Sequence, residues 1–446
     1  MKQRVISFSL LALTAAVAFA GCSSGNGPAT GGTKTPETTT PASVAVDTKP
    51  VTLKMFFPIS MSDTDFTNLV VEPVKKKYPY ITVEMIKRNN KPTALEQLQD
   101  IYAVGDSPDL LFTWNGDLPS YKDVDLLYDM TDLAKKHGVD TGKFEPVVLD
   151  SLKVIMDNKG LPALPFAVNF NATYYNKDLF DRFGIGYPKD GMTWNDAIEL
   201  AKKVSRTDGG VQYMGLSPDT LIRLAMPLSL TKVDAKTQKA TMNNDSWKRV
   251  FELQKEIYSI PNNMPKKMND AGQKSFLNEK TLAMLPTINL MNLGLESAQK
   301  EGLNWDIVQY PSYPDKPNTY GHVDTHLVAI AKTSKNKDQA MQVIEVMTSD
   351  EVQLLSTRTT ARMTALKNKD IKNQFGAEMT FLKGKNIPSI MKSNPAPGPL
   401  YSQFESRTNA IALKKLEEFV NGKDINTTLR EADEEIHTLI GSSAKK

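Results

Sequence analysis

The chain has 446 residues, carries 54 lysines and arginines against 51 aspartates and glutamates, and contains one cysteine. Because the net charge is only +3 and the charged residues are dispersed, nucleic acid is not an expected partner, since it requires a clustered basic face. One cysteine excludes an internal disulfide, so apolar packing must hold the fold, and the length predicts more than one core.

The N-terminal segment has the order of a bacterial export signal. A basic start at residues 1–4 precedes an apolar run over residues 5–20, which is too short and too alanine-rich for a permanent membrane span. Residues 19–22, Phe-Ala-Gly-Cys, resemble the lipobox of bacterial lipoproteins, although Phe19 stands where that motif usually has leucine. The resemblance implies that residues 1–21 are a signal peptide and that Cys22 is acylated by palmitate. The alternative is an ordinary secretory signal with an incidental cysteine.

Residues 22–50 are predicted to be a flexible linker. They are rich in Gly, Ser, Thr, Pro and Ala, so they cannot bury enough apolar surface to offset the entropy of ordering. No second stretch of the sequence is apolar enough to cross a membrane. We therefore expect a protein anchored by lipid to the cell membrane and facing outside, on the surface of a Gram-positive-type cell rather than in a periplasm.

From residue 51 onward, short apolar runs alternate with helical patterns. Strands are predicted over 51–57, 81–86 and 109–114, and helices over 66–77 and 93–104. This alternation is typical of a parallel sheet with crossover helices.

Further elements are predicted later in the chain. Thr193 and Asp196 have the spacing of a capping box, which indicates that a helix begins there. An apolar strand over 323–331 precedes an amphipathic helix over 337–347, and the pattern after Pro399 is helical nearly to the end.

Several segments, in colinear order, resemble family 1 extracellular solute-binding proteins, the receptors of bacterial ABC importers, many of them for sugars. The segments are 106–117, 164–178, 278–284, 321–331, 340–353 and 422–436. Together they cover nearly all of the chain after the linker. The resemblance implies an α/β, two-lobed, periplasmic-binding-protein-like fold with a ligand cleft between discontinuous lobes.

The resemblance also implies lobe boundaries and partners. The first lobe is expected to hold residues 51–165 and 323–358, and the second residues 166–322 and 359–446. The protein would be a monomeric receptor that captures a mono- or oligosaccharide and delivers it to permease subunits of an ABC importer, without a cofactor. A surface sensor that partners a signalling protein is the alternative, and a secreted glycan hydrolase is a more distant one.

The loop after the third predicted strand carries the first candidate ligand contacts. Ligands of open α/β sheets bind beyond the carboxyl ends of strands, and Trp114, Asn115 and Asp117 follow such an end. An indole can lie on the apolar face of a sugar ring, while amide and carboxylate groups bond its hydroxyls. The alternative for Trp114 is packing in a core or between the lobes.

The resemblance places further candidates in and near the segments that pass between the lobes. Asn169 and Asn171 lie in the first crossing, although the family often has an acid at the position of Asn169. Asn289 lies where relatives that bind maltose-like sugars tend to have tryptophan nearby, so a stacking platform for malto-oligosaccharides is not expected.

His322 and Asp324 are candidate ligand contacts at the second crossing, and Arg362 is a candidate clamp at the third. A metal site made by His322 and His326 is not expected. Four residues of strand span about 13 Å, whereas zinc ligands lie near 2 Å from one ion. For Arg362 the alternative is a surface ion pair.

An enzyme would need a different constellation. Asp106, Asp109 and Asp117 could supply a glycosidase pair, which requires two acids about 5–10 Å apart, but acids near a sugar cleft suit a binding protein equally. From residue 51 onward, the sequence has neither a Gly-x-Ser-x-Gly elbow nor a His-Glu-x-x-His helix. We therefore expect a binding protein with no catalytic residue.

Overall fold

A computed structural model describes residues 47–59, 61–91, 93–268 and 272–443 of the chain. The predicted signal peptide, Cys22 and most of the predicted linker lie outside these residues. Among the described helices, none combines the length and the apolar character that crossing a membrane would require.

The strands form two main sheets and one short pair. In chain order they are β1 (Val51–Phe57), β2 (Ile81–Lys87), β3 (Leu110–Trp114), β4 (Leu164–Val168), β5 (Asn171–Asn176), β6 (Arg206–Asp208), β7 (Val211–Leu216), β8 (Leu282–Ile288), β9 (Trp305–Gln309), β10 (Thr319–His322), β11 (Thr325–Ile330), β12 (Met363–Thr364) and β13 (Asn394–Ala396).

The α-helices cover the sheets. In chain order they are α1 (Asp63–Phe66), α2 (Glu72–Lys77), α3 (Ala94–Ala103), α4 (Leu118–Asp123), α5 (Thr131–Lys136), α6 (Pro146–Lys153), α7 (Lys177–Phe183), α8 (Trp194–Val204), α9 (Leu221–Ala225), α10 (Asp245–Tyr258), α11 (Gln273–Leu277), α12 (Leu295–Lys300), α13 (Lys337–Met347), α14 (Asp350–Thr360), α15 (Lys369–Lys372), α16 (Asn409–Val420) and α17 (Ile425–Ser443). Short 3₁₀ turns occupy Thr141–Lys143, Val154–Met156, Met226–Leu228, Thr380–Leu382, Ile387–Lys392 and Ser406–Thr408.

The first sheet has the strand order β12-β4-β11-β3-β1-β2. Strand β1 pairs in parallel with β2 and β3, as the alternating pattern predicted, whereas β11 runs antiparallel to β3 and β4. Both faces are covered. Leu110 and Phe112 of β3 pack into one apolar core and Leu111 packs into a second, because successive side chains of a strand point to opposite faces.

The second sheet has the strand order β6-β7-β8-β5-β9. Strand β5 lies antiparallel to β8 and β9, and β7 lies parallel to β8. Trp194, Trp247 and Trp305 are buried in the core around this sheet. Each sheet thus has its own apolar packing, and the prediction of a two-lobed α/β fold is confirmed.

Three segments connect the two sheets. The chain passes to the second sheet between β4 and β5, returns between β10 and β11, and leaves the first sheet again after β12. Ala365 and Ile371 pack in a first-lobe core, whereas Phe375 packs in the second-lobe core. The predicted lobe boundaries stay predictions. We propose from these contacts that the third crossing lies near residues 372–374 rather than 358.

Most of the predicted elements agree with the structure within about one residue. Thr193 caps α8 in a capping box with Asp196, as predicted. The helix predicted over 66–77 begins earlier, at Asp63, because Ser62 accepts a hydrogen bond from the Asp65 amide and caps it, and a π-helical turn at Thr67–Val71 continues it.

The helical pattern predicted directly after Pro399 is wrong for its first residues. Helix α16 begins only at Asn409. The preceding residues contact both lobes: Leu400 packs against a first-lobe core and Phe404 packs in the second-lobe core. Contacts with two different cores therefore override the local helical preference in this segment.

Candidate ligand-binding cleft

Two cavities lie where the strand ends of the first sheet meet the crossing segments. Trp114 ends β3, and Ser62 and Asp65 follow β1, whose carboxyl end lies at the same edge of the sheet because β1 and β3 are parallel. Asn169 and Asp324 belong to the first and second crossings. This is the edge at which open α/β sheets bind ligands.

The first cavity has a volume of about 160 Å³ and combines aromatic with charged side chains. It is lined chiefly by Trp114, Arg223, Trp247, His322, Asp324 and Tyr401. Trp114 belongs to the first sheet, and Arg223 and Trp247 belong to helices of the second lobe. A molecule in this cavity would therefore contact both lobes.

Gly116, two residues after Trp114, allows the indole of Trp114 to take its position. A Cβ atom at Gly116 would overlap the indole ring, so only glycine leaves room for the ring in this position. The ring of Tyr401 lies 6.0 Å from it, centroid to centroid, at an angle of 53°. Trp114 itself is half-buried. The two aromatic rings form one wall of the cavity.

Tyr401 is held by a histidine of the second crossing. Its hydroxyl and the Nε2 atom of His322 share a hydrogen bond of 2.5 Å. Burial, reinforced by the positive charge of Arg223, lowers the pKa of His322 to about 4. The imidazole is therefore neutral at pH 7, and in the tautomer that carries its proton on Nδ1 the Nε2 atom accepts a hydrogen bond from the Tyr401 hydroxyl.

The charge of Arg223 is balanced by acids. Its Nε atom lies 3.5 Å from the Asp219 carboxylate, and its NH1 group donates to the side-chain oxygen of Asn171 at 3.3 Å. Burial raises the pKa of Asp324, while the Arg223 charge and a hydrogen bond from Asn169 act in the opposite direction. Arg223 and Asp324 thus offer a donor and an acceptor to the same cavity.

The second cavity is larger, about 480 Å³. Its polar lining consists of Ser62, Asp65, Asn169, Asn289, Asn292, His326 and Arg362. The Arg362 guanidinium donates to the Asp65 carboxylate at 2.9 Å, and the arginine side chain is only 11% exposed. This ion pair is therefore part of the cavity wall and not a pair on the open surface.

Asn169 stands between the two cavities. Its amide group donates to the Asp324 carboxylate at 3.1 Å and lies 3.3 Å from Nε2 of His326. Burial, with a contribution from the Arg362 charge, lowers the pKa of His326 to about 4, so this ring is also neutral at pH 7. A neutral Nε2 atom can accept the Asn169 amide proton.

The predicted site residues fall into two groups. The structure brings six of them together at the cavities: Trp114, His322 and Asp324 at the first, and Asn169, Asn289 and Arg362 at the second. The Asn289 amide also donates to the Ala361 carbonyl at 2.8 Å. These assignments as ligand contacts remain predictions.

The other three predicted residues bond to protein groups and line neither cavity. Asn115 donates to the Val323 carbonyl and accepts from the Thr325 amide. Asp117 accepts from the Thr113 hydroxyl at 3.0 Å. Asn171 donates to the Tyr320 carbonyl at 2.6 Å.

Two prominent cavity residues were not predicted from the sequence. Arg223 lies in the short helix α9, and Tyr401 follows the Pro-Ala-Pro-Gly-Pro run at 395–399. A single arginine in a short helix has no distinguishing pattern. The proline-rich run before Tyr401 is the one signal that could have indicated an irregular segment there.

The acids considered for a glycosidase pair do not face one another across a cavity. Asp106 forms an ion pair with Lys54 and lies with Asp109 before the amino end of β3. Asp109 accepts from the Ser334 hydroxyl at 2.6 Å. Asp117 lies beyond the opposite end of β3, so these acids bind to protein groups at two ends of one strand.

Removing the indole is expected to weaken ligand binding without unfolding the protein. Trp114→Ala should cost about 1–3 kcal/mol of binding free energy, the range of a buried aromatic anchor. Gly116→Ala should also weaken binding, because the added methyl group displaces the intact indole. Calorimetry with the sugar identified by screening, paired with melting curves, measures both effects.

Gly186→Ala is the matched control, since a Cβ there meets nothing within 4 Å. This variant should bind like the wild type. Unchanged affinity in Trp114→Ala, together with a large fall in melting temperature, would instead assign Trp114 to packing.

Comparison with known proteins identifies relatives with this architecture. A family model described as bacterial extracellular solute-binding protein matches residues 65–354. A Brucella abortus (strain 2308) protein, named as a putative binding protein, is 26% identical over 202 residues, which are 43% of this chain and 47% of that protein. The chain thus spans about half the length of the curated relatives that it matches.

Similar solved structures share the two-lobed fold. An ABC substrate-binding protein of Listeria monocytogenes in complex with cycloalternan has a TM-score of 0.70 and 19% identity, covering 89% of this chain and 100% of that chain. The sugar-binding protein MalE of Xanthomonas citri has a TM-score of 0.67 and 17% identity, covering 88% and 98%. A Thermotoga lettingae solute-binding protein with bound alpha-D-tagatose has a TM-score of 0.65 and 17% identity, covering 87% and 99%.

The family model and the colinear motifs agree along the chain. The match begins in the first helix of the first lobe and ends in α14, so it includes the first two crossing segments. Because the match spans more than half of the 446 residues, the resemblance found in the sequence is confirmed, and the chain belongs to the bacterial extracellular solute-binding proteins.

Proposed function

We propose that this protein is a carbohydrate receptor of a bacterial ABC importer, which captures a sugar between its lobes and delivers it to membrane permease subunits. The observation that carries the proposal is the first cavity. There the Trp114 and Tyr401 rings stand near the acceptor Asp324 and the donor Arg223. A sugar ring needs this combination, because its faces are apolar and its edge carries hydroxyl groups.

The similar structures support the same ligand class. The Listeria protein was solved with cycloalternan and the Thermotoga protein with tagatose, and the Xanthomonas protein is a sugar-binding protein. They share the fold of this chain at low sequence identity, so the choice of sugar must come from this chain's own cavity residues. We propose binding without chemistry, since the acids that line the cavities are engaged with protein groups: Asp324 with Asn169, Asp65 with Arg362 and Glu405 with Lys232.

A screen for thermal stabilisation tests the proposal. The Cys22→Ala protein, which is expected to lack the lipid anchor, would be heated with individual members of a carbohydrate library. A sugar at 100 times its dissociation constant should stabilise the fold by about 2.7 kcal/mol. The bound sugar should be recovered chemically unchanged. Release of reducing ends from the bound glycan would favour a hydrolase. If no carbohydrate in the library stabilised the protein, the proposed ligand class would be contradicted.

Anchoring to the membrane is a separate prediction. Cys22 is the only cysteine of the chain and stands at the predicted cleavage point, so it should carry the lipid. Cys22→Ala is expected to abolish palmitate labelling and to release the protein from the membrane fraction. A serine-to-alanine change at Ser24 is the control and should leave labelling intact. Persistent labelling of the Cys22→Ala protein would exclude the lipoprotein assignment.

A further inference from the structure

The aromatic wall of the first cavity is built from two distant parts of the chain. Trp114 ends β3, whereas Tyr401 lies in the irregular segment before α16. The two ring centroids are 6.0 Å apart and the ring planes meet at 53°. A contact of this kind contributes only about 0.5–1.5 kcal/mol. The orientation of the Tyr401 ring therefore depends on what else the tyrosine contacts.

The backbone brings the Tyr401 segment to the second crossing. Strand β13 pairs with β10 and places Ala396 opposite His322. The chain then passes close to the first lobe, where the Gly398 amide donates to the Ser151 hydroxyl at 3.1 Å. Tyr401 follows three residues after this contact. The tyrosine thus reaches the cavity beside the histidine.

The Tyr401 hydroxyl is bonded to His322. The hydroxyl oxygen lies 2.5 Å from Nε2 of the imidazole, and the two ring centroids are 5.8 Å apart. Burial, with the negative charges of Asp324 and Glu405 in second place, raises the pKa of Tyr401, so the phenol keeps its proton at pH 7. The phenol is therefore the donor of this bond, and the neutral imidazole is the acceptor.

His322 is poorly placed to bond a ligand itself. It reaches the edge of the cavity, yet it is only 3% exposed, and its Nε2 atom is occupied by the Tyr401 hydroxyl. Its backbone belongs to β10, which β13 holds in place. Tyr401, in contrast, is only partly buried and lines the cavity together with Trp114. The histidine therefore acts on the cavity through the tyrosine.

We propose that His322 is a positioning residue and not a ligand contact: through the Tyr401 hydroxyl it holds the Tyr401 ring against Trp114 and so fixes the aromatic wall of the first cavity. The effect on sugar binding rests on the proposed function. A phenol that gives its proton to His322 offers only lone pairs to a sugar, so a sugar hydroxyl beside it must be the donor.

The tautomer of His322 tests the proposal without any ligand. The chain has only four histidines, so nitrogen NMR of the Cys22→Ala protein with ¹⁵N-labelled histidine gives few ring signals, and those of His322 are the ones lost in His322→Gln. We expect a neutral ring with its proton on Nδ1 and an Nε2 atom that accepts a hydrogen bond. In Tyr401→Phe this Nε2 signal should move to the position of an unbonded nitrogen. A proton on Nε2, or an Nε2 signal that does not respond to Tyr401→Phe, would overturn the proposal.

A double-variant cycle tests the effect on sugar binding. Calorimetry would measure binding of glucose, galactose, maltose and cellobiose to the Cys22→Ala protein and to variants made in it. His322→Leu removes the acceptor, and Tyr401→Phe removes the donor but keeps the ring. Each should weaken binding by about fivefold, the usual worth of one hydrogen bond. The double variant should bind no more weakly than Tyr401→Phe, because both changes remove the same bond.

A conservative variant and a distant one are the controls. The side-chain carbonyl oxygen of His322→Gln can accept the Tyr401 proton, so this variant should bind about as tightly as the wild type. His437→Leu should also bind like the wild type, since His437 is exposed on α17 and lines neither cavity. Melting curves show which variants are folded. If His322→Leu does not fold, weakened binding by Tyr401→Phe with intact binding by His322→Gln carries the test.

The outcomes separate the role of His322 from the proposed function. If His322→Leu weakened binding further in the Tyr401→Phe background, or if His322→Gln bound as weakly as His322→Leu, the positioning role would be overturned and the sugar receptor would stand. If the wild type bound none of these sugars, that would count against the proposed function. The nitrogen signals, which need no ligand, would then still decide whether His322 holds Tyr401.

Discussion

Glu405→Ala is expected to lower the free energy of unfolding by about 3–5 kcal/mol, the cost of leaving a buried charge without its partner. Glu405 accepts from the Lys232 ammonium group at 2.5 Å and from the Lys232 backbone amide at 3.1 Å. The two side chains are only 2% and 11% exposed. The alanine variant leaves a cation and backbone donors without these partners. Urea unfolding of wild type and variant measures the loss.

A double variant distinguishes two contributions to stability: the cost of burying a charge without its partner, and the stabilisation that the intact ion pair provides. Lys232→Met/Glu405→Leu removes both charges and keeps apolar volume, so it should be markedly more stable than Glu405→Ala. If the double variant were as unstable as the single one, the ion pair would be essential to the fold in its own right. A loss below about 1 kcal/mol for Glu405→Ala would contradict the buried pair altogether.

Acidification from pH 6.5 to pH 4 is expected to destabilise the protein by about 3 kcal/mol for each of two histidines. Burial, with the charges of Arg223 and Arg362 in second place, lowers the pKa of His322 and of His326 to about 4. Chemical unfolding at a series of pH values measures the effect.

The sign follows from comparing the folded and unfolded states. In the unfolded chain a histidine takes up its proton near pH 6.5, whereas in the folded protein it does so near pH 4. Between these values the unfolded state binds more protons, so stability is complete above pH 6.5 and falls as the pH is lowered toward 4. Asp324 acts in the opposite direction, since burial raises its pKa, and its contribution is lost as pH rises above its ordinary value.

Substitutions test whether these two histidines cause the dependence of stability on pH. His322→Asn/His326→Asn should flatten stability between pH 6.5 and 4, because the titrating groups are removed. His437→Asn is the control, since His437 is exposed on α17, and this variant should keep the slope of the wild type. A wild-type stability that stays constant across this range would show that neither histidine is held neutral by the fold.

The strands of the first lobe could be predicted because their signal is local. Strand β1 has its predicted bounds, since an apolar run between polar segments defines it. The capping box at Thr193 depends on two residues three apart, and it was predicted correctly. The segment before Asn409 depends instead on contacts of Leu400 and Phe404 with two separate cores, which no local pattern encodes.

The sequence predicted the location of the candidate site better than it predicted the residues that line it. Trp114 was proposed because it ends a strand, and Asp324 because it lies in a crossing segment, and both line the first cavity. Asn115 was chosen by the same reasoning, yet its side chain bonds to the backbone of residues 323 and 325. The prediction could not foresee this, because the sequence does not show which way a side chain points. Arg223 reaches the first cavity from a five-residue helix of the second lobe, so only the tertiary fold brings it to the site.

The central claim is that a sugar binds between the lobes and contacts both of them. A crystal structure of the Cys22→Ala protein in complex with the tightest-binding sugar of the carbohydrate library tests this claim most directly. We predict sugar density against the Trp114 indole, with a hydroxyl within hydrogen-bond distance of Asp324 or Arg223. Sugar bound at another surface, with both cavities free of it, would contradict the claim.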